Sequence, residues 1–229
     1  MANSLDSPMF NVRISGDLAC FTRPEMKVER VSYEVITPSA TRGILEAILW
    51  KPAIAWVVQR VHVLKPIRWA SFKRNEVTGK IPVARLTKAM NSGEAVETIV
   101  AEESRAQRHT LALRDVEYVI EAGFRMVPAK AGAEDNPLKF TEMFRRRLEN
   151  GQWYRAPYLG CREFTARVEP ASEGFKAISD SRDLGWMLHD IEFRPGAENL
   201  PHFFAARLND GVIEVPEFKP GLFRQGGAQ

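Results

Sequence analysis

Phe10, Val12 and Ile14 alternate with Asn11, Arg13 and Ser15, the period-two pattern of a half-buried strand, and Gly16-Asp17 offers a turn after it. Thr37 can cap a helix whose first position is Pro38. Ala40, Ile44, Ala47 and Ile48 then recur at helical spacing until Lys51-Pro52 stops them. The run from Ile54 to Leu64 is β-rich and apolar on both phases except at Gln59, Arg60 and His62, as in a central strand. Residues 65–107 show no sustained period and carry Gly79, Pro82 and Gly93 among many charges, which predicts a hairpin or a long excursion. Alternation resumes through Val116, Tyr118, Ile120, Ala122, Phe124 and Met126. Leu111 and Leu113 fall on the opposite phase, so a bulge or break is required near Arg114-Asp115, close to His109.

Asn136-Pro137 opens a second helix with Phe140, Met143, Phe144 and Leu148 as its apolar stripe, and Gly151 ends it. Alternation at Phe164, Ala166 and Val168, a run from Trp186 to Phe193, and Phe203 to Val215 turning at Asn209-Asp210-Gly211 predict a small antiparallel sheet. This order points to an α+β chain. Residues 1–130 are expected to form a ferredoxin-like or RRM-like sheet with a basic hairpin excursion, and residues 131–229 a helix plus a small antiparallel β-sheet domain. At 229 residues and 45% apolar, the chain has the size of one large domain or two small ones.

The formal charge of +3 conceals an asymmetry. Residues 51–114 hold twelve Lys and Arg against five Asp and Glu, whereas the segments on either side are slightly acidic. Arg60, Lys65, Arg68, Lys73, Arg74, Lys80, Arg85 and Lys88 are opposed only by Glu76, the density expected of a surface that follows a phosphate backbone, though a solvated basic loop would carry it too. Trp69 and Phe72 interleave with these cations, which favours single-stranded RNA, while Trp50, Trp56 and Trp69 taken singly read as packing residues. Arg145, Arg146 and Arg147 read as a solvated helix face, and His62, His189 and His202 as core or edge histidines.

His109 differs, since it lies amid Arg105, Arg108 and Arg114, where cations could hold a phosphate beside a group titrating near working pH. Gly160 and Arg162 either form a tight turn presenting amides and a guanidinium to phosphate or simply join two elements. Cys20 and Cys161 lack zinc-ligand spacing and read as buried free thiols. P-loop, dinucleotide-fingerprint, nucleophile-elbow and His-Glu-x-x-His patterns are absent, and no apolar run approaches a membrane span of about 18–20 residues. Residues Met1 to Asp6 carry neither a basic nor an apolar signal region, so the cytoplasm is the expected location.

Four stretches carry a resemblance: 16–24 (GDLACFTRP), 31–52 (VSYEVITPSATRGILEAILWKP), 107–124 (QRHTLALRDVEYVIEAGF) and 158–164 (YLGCREF). In this order they resemble the CRISPR-associated RAMP endoribonucleases of subtype I-C (Dvulg), and together they reach across most of the chain. The resemblance implies a modified ferredoxin-like domain with a small β-sheet domain. It also implies metal-independent cleavage of precursor CRISPR RNA within the repeat, with no cofactor. The protein would then stay on the 5′ handle beside the backbone and large subunits of the interference complex, and nonspecific duplex DNA would be a further partner. In such cleavage the ribose 2′-hydroxyl attacks the adjacent phosphorus and expels the 5′-oxygen, leaving a 2′,3′-cyclic phosphate. The protein supplies a base, a donor and positive charge.

The family's catalytic set, a tyrosine at the end of the first helix and a basic residue followed by histidine, carries over onto Arg108-His109. The tyrosine position is Leu49, which cannot transfer a proton, so either Tyr33 or another nearby hydroxyl takes its part, or the protein cuts with His109 and cations alone, or it cuts poorly. The expected RNA contacts are Lys65, Arg68, Lys73, Arg74, Arg105, Arg114 and Arg162. The alternative is a noncatalytic RNA-binding subunit of such a complex.

Overall fold

The computed structural model describes residues 5–26, 28–78, 83–93, 102, 105–194, 196 and 198–217. In chain order its elements are β1 (Phe10–Ala19), β2 (Arg30–Val31), α1 (Pro38–Ile48), β3 (Ile54–Val63), β4 (Trp69–Val77), α2 (Val83–Ser92), β5 (Arg105–Met126), α3 (Pro137–Glu149), β6 (Arg167–Pro170), β7 (Arg182–Glu192), β8 (Leu200–Leu208) and β9 (Val212–Glu214). The chain is a mixed α/β protein, mostly strand.

β5 organises the molecule. Its second half pairs antiparallel with β1 on one side and β3 on the other, and β6 and β9 extend the sheet to the order β6-β1-β5-β3-β9. Its first half pairs with β4 and, in parallel, with the short β2. β3 and β4 therefore run consecutively along one flank of the same long strand. The apolar periods explain why: Val116, Tyr118, Ile120, Ala122 and Phe124 are all buried, as are Val12 and Ile14 on β1. The break expected near Arg114-Asp115 is a local kink inside one strand, with Asp115 at φ 53°.

The two expected helices, α1 and α3, begin as their caps predict. The Thr37 side chain accepts the Ala40 N–H and the Asn136 side chain accepts the Lys139 N–H. α3 lays Phe144 against Phe10 and Trp56, with ring centroids 4.7 and 4.6 Å apart, and Phe140 against Phe124. α1 buries Ile44, Leu45 and Ile48 in the same core.

Three expectations need correction. Gly16-Asp17 is not a turn: β1 continues through it, because pairing with β5 extends to Ala19–Leu113. Gly16 serves instead to let the 159–165 loop approach, since a Cβ there would lie 2.4 Å from Leu159 Cδ1. The division at 130 does not coincide with a break in packing: α3, β6 and β9 all complete the first sheet's core, and among the described residues only β7 and β8 form a separate two-stranded sheet. Finally, the turn at Asn209-Asp210-Gly211 exists, with Asp210 and Gly211 at φ 51° and 78°, but its arms join different sheets.

Candidate nucleic-acid interface

The basic excursion is a two-stranded ribbon, β4 paired with residues 105–113 of β5, with α2 following β4. Strand alternation gives the ribbon two unlike faces. Lys73 pairs directly with His109, so Trp69, Ser71, Lys73, Asn75 and Val77 share a face with Gln107, His109 and Arg105. That face is the exposed one. Opposite residues in a ladder stand about 5 Å apart at Cβ, which puts the Lys73 ammonium within reach of the imidazole's surroundings. Arg105, half-exposed, lies two alternations away and pairs with Glu102 at 3.6 Å. A carboxylate also approaches: the His109 backbone N–H donates to Glu29 Oε2 at 2.5 Å.

Arg74 and Arg108 occupy the other face, as cross-strand partners. Arg74 is ion-paired to Glu163, and its guanidinium lies 5.3 Å from the Phe72 ring and 5.4 Å from the Phe164 ring. Arg30 joins this group through Glu76 at 3.1 Å, Glu163 at 3.9 Å and the Cys161 sulfur at 3.5 Å. Cys20 and Cys161 are buried and free. Their mutual hydrogen bond and Arg30 hold the Cys161 thiol below its ordinary range, while that bond and burial push the Cys20 thiol up.

The structure thus separates residues that the sequence placed together. Arg108 and His109 point to opposite faces, because consecutive residues of a strand must. Lys65, Arg68 and Arg114 gather at the kink instead: Asp115 takes Lys65 at 2.6 Å and Arg68 at 3.6 Å, and the Arg114 N–H donates to the Arg68 carbonyl at 2.9 Å. The Lys65 hydrogen bond keeps the Asp115 carboxyl below the usual range. Arg162 is exposed on the 160–164 loop, where Gly160 (φ 82°) is required because a Cβ would meet the Cys20 carbonyl at 2.0 Å. Lys80 lies outside the described residues.

Tyr33 leaves the candidate set. It is 1% exposed, hydrogen-bonded to the Leu188 backbone and covered by Arg23 at 4.5 Å, and burial raises its phenol above the ordinary tyrosine range. Leu49 is also fully buried, and its carbonyl accepts the Trp56 indole N–H at 2.9 Å. Trp56 pairs with Phe124. His109 lies fifteen positions earlier on β5, beyond the kink at Asp115. The end of α1 and His109 are therefore different places on the molecule.

Reading the sequence missed two things. The counter-charges Glu29 and Glu163 come from segments distant from the ribbon and leave no local signal. Trp50 and Trp69, read as packing residues, are 63% and 39% exposed, whereas Trp56 is buried as expected. Among the described residues no group of three or more His, Cys, Asp or Glu is placed to hold a metal ion, and no helix is long and apolar enough to cross a membrane.

Comparison with known proteins returns one family and a consistent set of relatives. The family profile described as Cas5d, CRISPR-associated protein (Cas5), matches residues 9–216. A protein of Mannheimia succiniciproducens named CRISPR pre-crRNA endoribonuclease Cas5d is 51% identical over 215 residues, covering 90% of this chain and 94% of that one. A Thermus thermophilus protein of the same name is 40% identical over 225 residues, covering 91% of each. Among solved structures, one titled as a CRISPR-associated protein superposes with a TM-score of 0.66 at 26% identity, over 92% of this chain and 93% of its own.

Proposed function

The chain belongs to the Cas5d family of CRISPR-associated proteins, and from that premise we propose that it is a pre-crRNA endoribonuclease whose β4–β5 ribbon holds the RNA. The observation that carries the activity is the 51% identity, over nine-tenths of the chain, to a protein bearing that name. The strand order β6-β1-β5-β3, with α1 between β1 and β3 and α3 between β5 and β6, supports reading this part of the sheet as ferredoxin-like.

We place the chemistry at His109. Its imidazole takes the proton of the 2′-hydroxyl as the 2′-oxygen bonds to phosphorus and the bond from phosphorus to the 5′-oxygen breaks. Lys73, on the strand opposite, is the donor nearest the leaving oxygen, and Arg105 adds charge along the phosphate track. Arg108 contributes from the far face, and Lys65, Arg68 and Arg114 at the kink, with Arg74 and Arg162 beside Glu163, extend RNA contact away from the cut. After cleavage the protein keeps the 5′ handle and docks with the backbone and large subunits of the type I-C complex; duplex DNA is a further nonspecific partner.

Labelled repeat RNA incubated with the protein in EDTA tests this. One cut is expected, leaving 5′-hydroxyl and 2′,3′-cyclic phosphate ends, and His109→Ala should slow it by about 10² to 10⁴ with binding retained. Cleavage by His109→Ala at the wild-type rate would remove His109 from the chemistry. Bound but uncut RNA with the wild-type protein would make the chain a scaffold subunit.

A further inference from the structure

Cys20 directly follows β1 and Cys161 sits in the 160–164 loop, 141 positions later, yet the two thiols share a hydrogen bond. Both are free and buried. Their backbones are held together as well: the Cys20 N–H donates to the Leu159 carbonyl at 3.0 Å, and Cys161 Sγ lies 3.8 Å from the Cys20 carbonyl. The loop itself is a fixed turn, since the Leu159 N–H donates to the Phe164 carbonyl at 2.7 Å and the Phe164 N–H to the Cys161 carbonyl at 2.9 Å. Gly160 makes this approach possible, because a Cβ there would strike the Cys20 backbone. The two sulfurs are therefore neighbours on frames that already touch.

Thiols that only fill a core sit among hydrocarbon and stay inert. These two have polar company. Thr22 Oγ1 lies 3.6 Å from Cys20 Sγ, and Arg30 Nη1 donates to Cys161 Sγ at 3.5 Å. The Arg30 side chain is one-third exposed, so it joins the pair to solvent, and Cys161 is the less completely covered sulfur, at 8% against 1%. The hydrogen bond from Cys20 and the Arg30 guanidinium hold the Cys161 thiol below its ordinary range, while that bond and burial push the Cys20 thiol up. Since the thiolate is the nucleophile, the pair has one sulfur ready to attack and one that keeps its proton to resolve the product. The RNA chemistry placed at His109 uses neither.

We infer that Cys20 and Cys161 form a redox-active dithiol, which a peroxide closes to a disulfide. The Cys161 thiolate attacks one peroxide oxygen, and the O–O bond breaks. Cys161 becomes a sulfenic acid, and the departing hydroxide takes up the proton the thiol gave away. The Cys20 sulfur then bonds to the Cys161 sulfur, its own proton leaving with the sulfenic hydroxyl as a second water. Two sulfurs are oxidised and one peroxide is reduced to two waters. Closure removes the negative sulfur from beside Arg30 and leaves that guanidinium to Glu76 at 3.1 Å and Glu163 at 3.9 Å. It also ties the loop that carries Glu163, the partner of Arg74, to the end of β1. A small dithiol reverses it by exchange.

The experiment treats the reduced, full-length protein with hydrogen peroxide and weighs it intact, without reductant. The mass should fall by that of two hydrogens, and a digest should contain a peptide linked through Cys20 and Cys161. The thermal midpoint should rise by about 10 °C, because the cross-link closes a long loop of the unfolded chain. Dithiothreitol should reverse all three changes. Cys20→Ser cannot close the bridge and should accumulate a sulfenic acid at Cys161 that dimedone captures. Arg30→Gln keeps both sulfurs and should form the bridge several times more slowly, a readout that survives if the serine variant folds poorly. Wild-type protein that keeps both thiols free while folded in excess peroxide overturns the inference. So does a sulfinic acid at Cys161 with no linked peptide, which would show that Cys20 does not resolve it.

Discussion

His109 and Arg108 are neighbours in sequence and strangers in space, and the difference is one peptide unit of a strand. The same rule that separates them brings Lys73, thirty-six positions away, directly opposite the imidazole. Tyr33 and Tyr118 show the converse, hydroxyl-bearing side chains committed to the interior. Burial pushes both phenols above the ordinary range, against weaker opposing bonds from the Leu188 and Ile36 backbones. The sign follows: above pH 10 the unfolded chain loses these protons while the folded chain keeps them, so the stability they contribute is full below that pH and drains away as pH rises. Each such group costs up to about 1.4 kcal/mol per pH unit in that region. Tyr118→Phe should therefore flatten the alkaline limb of a plot of unfolding free energy against pH, measured by urea titration between pH 9 and 11. An unchanged limb would mean that the phenol is not protected in the folded state.

At the scale of elements, the β4–β5 ribbon is the part of the fold whose exposed face carries cations without neutralising partners at every position. Lys73 and Arg105 project from it, Arg105 with only the exposed Glu102 at 3.6 Å among the described residues, while Lys65 is tied to Asp115 at 2.6 Å and Glu117 at 3.4 Å. A phosphate contact releases counterions, and each one adds about 0.7 to the magnitude of the log–log salt slope for a single strand. Lys73→Gln/Arg105→Gln should accordingly lower the slope of RNA affinity against salt by about 1.4, whereas Lys65→Gln should lower it by less. A slope that ignores the first pair of substitutions would show that RNA does not follow this face. The ribbon's existence was legible, since charge density and broken periodicity announced an excursion between two apolar strands. Which of its residues share a face was not, because the register with β5 depends on how β4 enters after residues 64–68.

Over the whole molecule, the division is less sharp than composition suggests. Phe144 from α3 sits between Phe10 and Trp56, and Ile213 from β9 closes the far edge beside Val61, so one apolar core runs from the first strand to the last. Phe144→Ala should cost about 3–5 kcal/mol, the usual price of an emptied aromatic site. In the wild type, far-ultraviolet circular dichroism and tryptophan fluorescence should report one coincident unfolding transition. Two separated transitions would show that the β7–β8 sheet folds independently of the rest.

The sequence by itself determined the two capped helices α1 and α3, most of the strands with their buried faces, and the family, because periodicity, capping chemistry and a specific order of motifs are properties of neighbours along the chain; α2, inside the aperiodic excursion, was not legible. Tertiary structure alone decided that His109 faces Lys73 and not Arg108, that Glu163 occupies Arg74, that Tyr33 is sealed inside, and that the Cys20 and Cys161 thiols meet. Those relations depend on strand register and on the packing of segments far apart in sequence, which no local pattern encodes.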